Sequence, residues 1–129
     1  MKKKIYYGLA VFGNEEVKAV NRVLAKNRLN LIDGPHVKLF EKKVAKIFGK
    51  KYALMVNSGS SANLLGLASL NLKKNSEVIT PSLTFSTTVA PIYQLGLIPS
   101  FVDVEMNKYI VDIEKIEKNI NKKNKAIMI

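Results

Sequence analysis

The sequence has no cysteine and a single histidine. The first absence excludes a disulfide framework, a thiolate metal site and a cysteine nucleophile. The second leaves His36 unable to build a histidine metal cluster or a catalytic triad, so no metal site is expected. Acidic residues are scarce as well, ten against 21 Lys and Arg, for a formal net charge of +11. Such an excess suits nucleic acid. The lysines, however, crowd both ends of the chain, hardly enter its middle and follow helical solvent faces without interleaved aromatics. A well-solvated surface is the simpler account, and a small basic anion- or nucleic-acid-binding α/β module stays as the alternative.

Targeting signals are also missing. The start, Met1 to Gly8, is basic but has neither the apolar run nor the small-residue cleavage site of a signal peptide, which points to a cytoplasmic setting. Two stretches carry no charge, 53–72 and 78–102. The second has the length of a membrane span. Pro81, Pro91, Pro99, Gly96 and the Ser/Thr cluster from Ser82 to Thr88 divide it into short buried elements, so no membrane partner is expected.

What is present is the material of one globular domain: 129 residues, 47% hydrophobic and 24% charged, enough to bury a core. Asn14 is a candidate N-cap for an amphipathic helix with Val17, Val20, Val23 and Leu24 on one face and Glu15 and Glu16 in the first turn. A polar link from Asn27 to Gly34 precedes a second helix opened by Pro35, with Val37, Phe40, Val44, Ile47 and Phe48 on its apolar face, closed by Gly49. The pattern then changes. Tyr52 to Val56 is a continuous apolar run that predicts a strand covered on both faces. After a Ser/Gly loop come a helix over 62–70, a strand over 77–80, a helix over 84–95 closed by Gly96, a strand over 100–104, a helix from the cap Asp112 to Asn119, and a strand over 125–129. Pro91 falls either in the first turn of its helix or at a kink.

Strands alternating with helices predict an α/β fold with a mainly parallel sheet flanked by helices. Residues 1–50 form an amino-terminal helical segment in this reading, and residues 51–129 part of an α/β domain. Because the chain stops inside an apolar strand, it is expected to be a fragment of a longer domain.

Ligands in parallel sheets bind beyond the carboxyl ends of strands, and Asn57-Ser58-Gly59-Ser60-Ser61-Ala62-Asn63 sits at such a point. Gly59 lets backbone come close to a ligand, Ser60 and Ser61 offer hydroxyls, and the following helix offers its free N–H groups, a combination suited to phosphate. By itself such a loop is more often a plain N-cap. It is neither a Walker A loop nor a dinucleotide fingerprint, lacking the Gly-Lys-Ser/Thr of the one and the third Gly and acidic residue of the other.

Several segments in register carry more. Gly34 to Glu41, Lys51 to Leu65, Glu77 to Thr88 and Gly96 to Val104 together resemble the DegT/DnrJ/EryC1/StrS family of sugar aminotransferases, which use pyridoxal 5′-phosphate (PLP). The resemblance implies the amino-terminal part of the aspartate-aminotransferase-like (fold type I) large domain. It implies that Ser60 and Ser61 hold the cofactor phosphate, that Gly59 shapes the turn, and that Phe85 stacks on the pyridine ring, in place of an ordinary core role. The Schiff-base lysine and the aspartate partner of the ring nitrogen are expected beyond Ile129, so no catalytic residue is assigned here. The implied reaction moves an amino group, from glutamate, onto a nucleotide-linked keto-sugar for polysaccharide or deoxysugar synthesis, in a homodimer. Ser58 to Leu65, Thr87 to Val89, Gly96 to Pro99 and Lys125 to Ile129 are also similar to the family's sugar 3-dehydrase branch, where a histidine replaces the lysine. Both branches stay open.

Overall fold

The computed structural model describes residues 4–26, 29 and 31–129. Met1 to Lys3 of the basic start, and Asn27, Arg28 and Asn30 of the polar link, lie outside the described residues. The chain forms two compact units, Met1–Met55 and Val56–Ile129.

The first unit holds two helices, α1 (Asn14–Lys26) and α2 (Pro35–Ile47). Helix α1 is capped from Gly13 rather than Asn14: Val17 N–H reaches the Gly13 carbonyl, and the Glu16 carboxylate takes the Gly13 N–H at 2.7 Å. That bond, which favours the charged form, holds the Glu16 carboxyl below its ordinary range. Pro35 opens α2, and Gly49 follows it at φ +60°, a left-handed turn for which glycine has no Cβ penalty. The apolar faces read from both helices remain largely open. Val20, Leu24, Phe40 and Phe48 are each at least half exposed, and among the described residues of this unit Ala45 is the one buried hydrophobic residue.

The run from Tyr52 to Val56 forms no strand, contrary to expectation. An apolar run specifies a strand only if a neighbour takes its backbone bonds. Here the Met55 N–H is taken by the Glu41 side chain at 2.7 Å, and Tyr52 and Leu54 are exposed.

The second unit is the α/β layer. Its elements are α3 (Gly59–Ser69), β1 (Glu77–Pro81), α4 (Ser86–Gln94), β2 (Ile98–Val102), α5 (Ile113–Asn119) and β3 (Asn124–Ile127). The three strands are parallel in the order β2-β1-β3. Several boundaries move from the sequence reading, among them the start of α4, which falls at Ser86, and the end of β3, which falls at Ile127. Helix α3 begins at Gly59 rather than Ala62, because Ser58 is already its cap. Strand β2 begins and ends two residues early, and Val104 makes only an isolated antiparallel bridge to Val111.

Central β1 has neighbours on both sides, and Val78, Ile79 and Thr80 are almost wholly buried. Val78 packs with Leu67 of α3, Ile92 of α4 and Leu97. Ile79 points the other way and is paired in register with Ser100, whose hydroxyl accepts the Asn119 side-chain amide of α5 at 2.9 Å. The connections from β1 to β2 and from β2 to β3 run in opposite directions across the sheet. Right-handed crossovers therefore put α4 and α5 on opposite faces, as observed. Asp112 caps α5 through the Lys115 N–H at 3.2 Å.

The Thr80 hydroxyl is 0% exposed and has no hydrogen-bond partner. A buried orphan hydroxyl costs roughly 1–3 kcal/mol, while an apolar group of the same shape in its place is neutral or better. Thr80→Val is expected to leave stability unchanged or raise it by about 1 kcal/mol in denaturant unfolding. A loss of that size would show that the hydroxyl has a partner.

Candidate functional site

Helix α3 leads through Asn71 to Ser76 into the start of β1, so its own amino end stands at the carboxyl edge of the sheet. Strand β1 ends there too and passes through Ser82 to Phe85 into α4. Two helix starts thus meet at the edge where parallel sheets take ligands.

At the first of them, Ser58 is in an extended conformation, and its Oγ accepts the Ser61 N–H at 3.2 Å. The two hydroxyls, Ser58 Oγ and Ser61 Oγ, lie 3.1 Å apart. The Ser58 carbonyl takes the Ala62 N–H. Of the first-turn donors, the amides of Gly59 and Ser60 have no helical carbonyl behind them. They lie at the positive end of the helix dipole, where Ser60 is exposed. A Cβ built on Gly59 would meet nothing within 4 Å, so packing does not demand a glycine there.

The second helix start carries Phe85 as the N-cap of α4, without a side-chain cap bond. Phe85 is 70% exposed in this chain. The Thr84 hydroxyl bonds that of Thr88 at 3.1 Å, and the Thr88 N–H reaches the Phe85 carbonyl.

Between the two helices lies a shallow groove of about 190 Å³, lined by Ser60, Ser61, Leu64, Thr87, Ala90, Pro91 and Gln94. It gathers Ser60 and Ser61 but not Phe85. A larger apolar groove of about 600 Å³ on the first unit, lined by α1 residues and His36, gathers none of the candidate residues. Among the described residues no cluster of His, Asp and Glu could hold a metal ion, and no helix is long and apolar enough to cross a membrane.

Pro91 sits inside α4, at its sixth residue, not at its start. Proline has no N–H to give the carbonyl four residues back, which is Thr87. That carbonyl is taken instead by the side-chain amide of Asn63 on α3, at 3.2 Å and partly buried. The pattern reading placed neither Ser58 nor Asn63 among the site residues. The signals were there: serines three apart at a helix start, and a proline four residues after Thr87 whose missing donor calls for a substitute.

The sequence profile of the DegT/DnrJ/EryC1/StrS aminotransferase family matches residues 11–129. A GDP-4-keto-6-deoxy-D-mannose 3-dehydratase of Escherichia coli O55:H7 is 42% identical over 119 residues, covering 88% of this chain and 30% of that protein. A crystal structure of a GDP-4-keto-6-deoxymannose-3-dehydratase with a trapped PLP-glutamate geminal diamine superposes with a TM-score of 0.85 at 38% identity, over 96% of this chain and 33% of the other. An aminotransferase from Psychrobacter cryohalolentis gives a TM-score of 0.83 at 28% identity, over 95% and 31%. The chain spans about a third of the length of the relatives it matches.

The cap makes a testable contribution of its own. Ser58→Ala is expected to cost about 1 kcal/mol of unfolding free energy. No loss in denaturant titration would mean that Ser58 does not cap α3.

Proposed function

The chain belongs to the DegT/DnrJ/EryC1/StrS aminotransferase family, and from that premise we propose that it is part of a PLP-dependent enzyme acting on a nucleotide-linked keto-sugar. Its contribution is the phosphate cup and one wall of the cofactor site. The observation that carries this reading is the start of α3, where the amides of Gly59 and Ser60 have no helical partners and Ser58 holds the Ser61 amide beside the Ser60 and Ser61 hydroxyls.

The donor set suits a phosphate. An anion at a helix start gains from the dipole and takes up orphan N–H groups. Gly59 and Ser60 bind through backbone, and Ser60 and Ser61 add hydroxyls. The Ser61 N–H is already held by Ser58, which keeps the turn in shape. Phe85, exposed at the neighbouring helix start, offers a ring face for offset stacking on a flat heteroaromatic. PLP itself supplies the electron sink of the reaction. The residues of this chain bind and orient it.

Of the two branches, 3-dehydration of a nucleotide-linked 4-keto-6-deoxy sugar is favoured over amination. Identity reaches 42% with a 3-dehydratase against 28% with the Psychrobacter aminotransferase. Glutamate as the amine source is supported by the solved relative in which PLP and glutamate are trapped together. The homodimer and the cytoplasmic setting belong to the same proposal.

Two measurements test it. Ser60→Ala combined with Ser61→Ala in the full-length protein is expected to weaken PLP binding to the apoprotein at least about tenfold. Unchanged affinity removes the phosphate assignment. Incubated with GDP-4-keto-6-deoxymannose, PLP and glutamate, the protein is expected to yield a sugar deoxygenated at C3. A 4-amino sugar would move it to the aminotransferase branch.

A further inference from the structure

The phosphate cup and the proposed ring wall stand on different helices, and one side chain ties those helices together at a defect in one of them. Without Asn63, the proline at position 91 would leave the Thr87 carbonyl unpaired between α3 and α4, and its ring also crowds that carbonyl. The Asn63 amide donates to it at 3.2 Å. Asn63 lies one turn past Ser60 on α3. Thr87 lies in the first turn of α4, two residues past Phe85. The bond therefore spans from just behind the cup to just behind the wall. Leu67 and Ile92, further along the same helices, are packed in the core, so each helix is anchored at its far end by apolar contacts.

We propose that Asn63 is a positioning residue for the cofactor, setting the distance between the phosphate-binding turn and Phe85 by replacing the backbone donor that Pro91 lacks. This rests on the PLP reading above. Asn63 does not touch the cofactor. It acts through the Thr87 carbonyl, and its role depends on residue 91 being proline. Apolar packing alone would leave α3 and α4 free to slide along each other, since it is non-directional. A hydrogen bond to a fixed carbonyl removes that freedom.

The dependence on Pro91 makes the idea separable from a general loss of stability. With alanine at position 91, its backbone N–H can serve the Thr87 carbonyl and the Asn63 amide becomes redundant. The experiment is a double-mutant cycle in the full-length apoprotein with Asn63→Ala, Pro91→Ala and both, reading the PLP dissociation constant and the unfolding midpoint without PLP. Asn63→Ala is expected to weaken PLP about tenfold in the native background and no more than about twofold beside Pro91→Ala. The unfolding midpoint should show coupling of the same sign. If Asn63→Ala is too unstable to isolate yet folds beside Pro91→Ala, that also supports the proposal. Equal cost in both backgrounds, no cost in either, or failure to fold in both overturns it. Native protein that binds no PLP would instead sink the cofactor reading, and this inference with it.

Discussion

Strand β1 constrains the second unit of this chain. It has a parallel neighbour on each side and side chains buried on each face, so Val78 and Ile79 must find apolar cover in opposite directions. Leu67 and Ile92 cover one face. On the other, α5 reaches Ser100 of β2. Because the chain enters β2 on one side and β3 on the other, the handedness of crossovers sends α4 and α5 to different faces. With every strand pointing the same way, the residues that leave β1 gather at one edge, and α3, running back toward the start of β1, begins there as well. The site is a consequence of that arrangement.

At that edge the chemistry comes mainly from backbone. A helix start always has amides without helical partners. What distinguishes α3 is how its donors are shared: the Ser58 side chain occupies the Ser61 amide, and the Gly59 and Ser60 amides have no helical partner. Phe85 stands at the start of α4 and is exposed. The same edge carries the tie between Asn63 and Thr87. That bond links the helix that begins at the Ser/Gly turn to the helix that begins at Phe85.

Much of this was legible in the residues. The Ser/Gly run before an apolar segment placed the start of α3 to within three residues, Asp112 marked that of α5, and the order of strands and helices gave the parallel sheet. The segment from Tyr52 to Val56 was misread because a strand is a property of a pair: its composition says it can be buried, not that a partner stands beside it. Strand β2 slipped by two residues because Pro99 can sit in an edge position of a sheet, where its missing N–H costs nothing. The Asn63 contact joins residues 24 apart, and periodicity reports only on neighbours along one element. Pro91 offered the one local clue, a carbonyl without its usual donor, but not which side chain would supply it.

The central claim is that the start of α3 receives the phosphate of PLP. A crystal structure of the full-length, PLP-loaded protein tests it most directly. Phosphate oxygens within hydrogen-bonding distance of the Gly59 and Ser60 amides and the Ser60 hydroxyl, with the Phe85 ring against the pyridine, is the predicted result. A phosphate seated elsewhere, with those donors facing only water, would contradict the account.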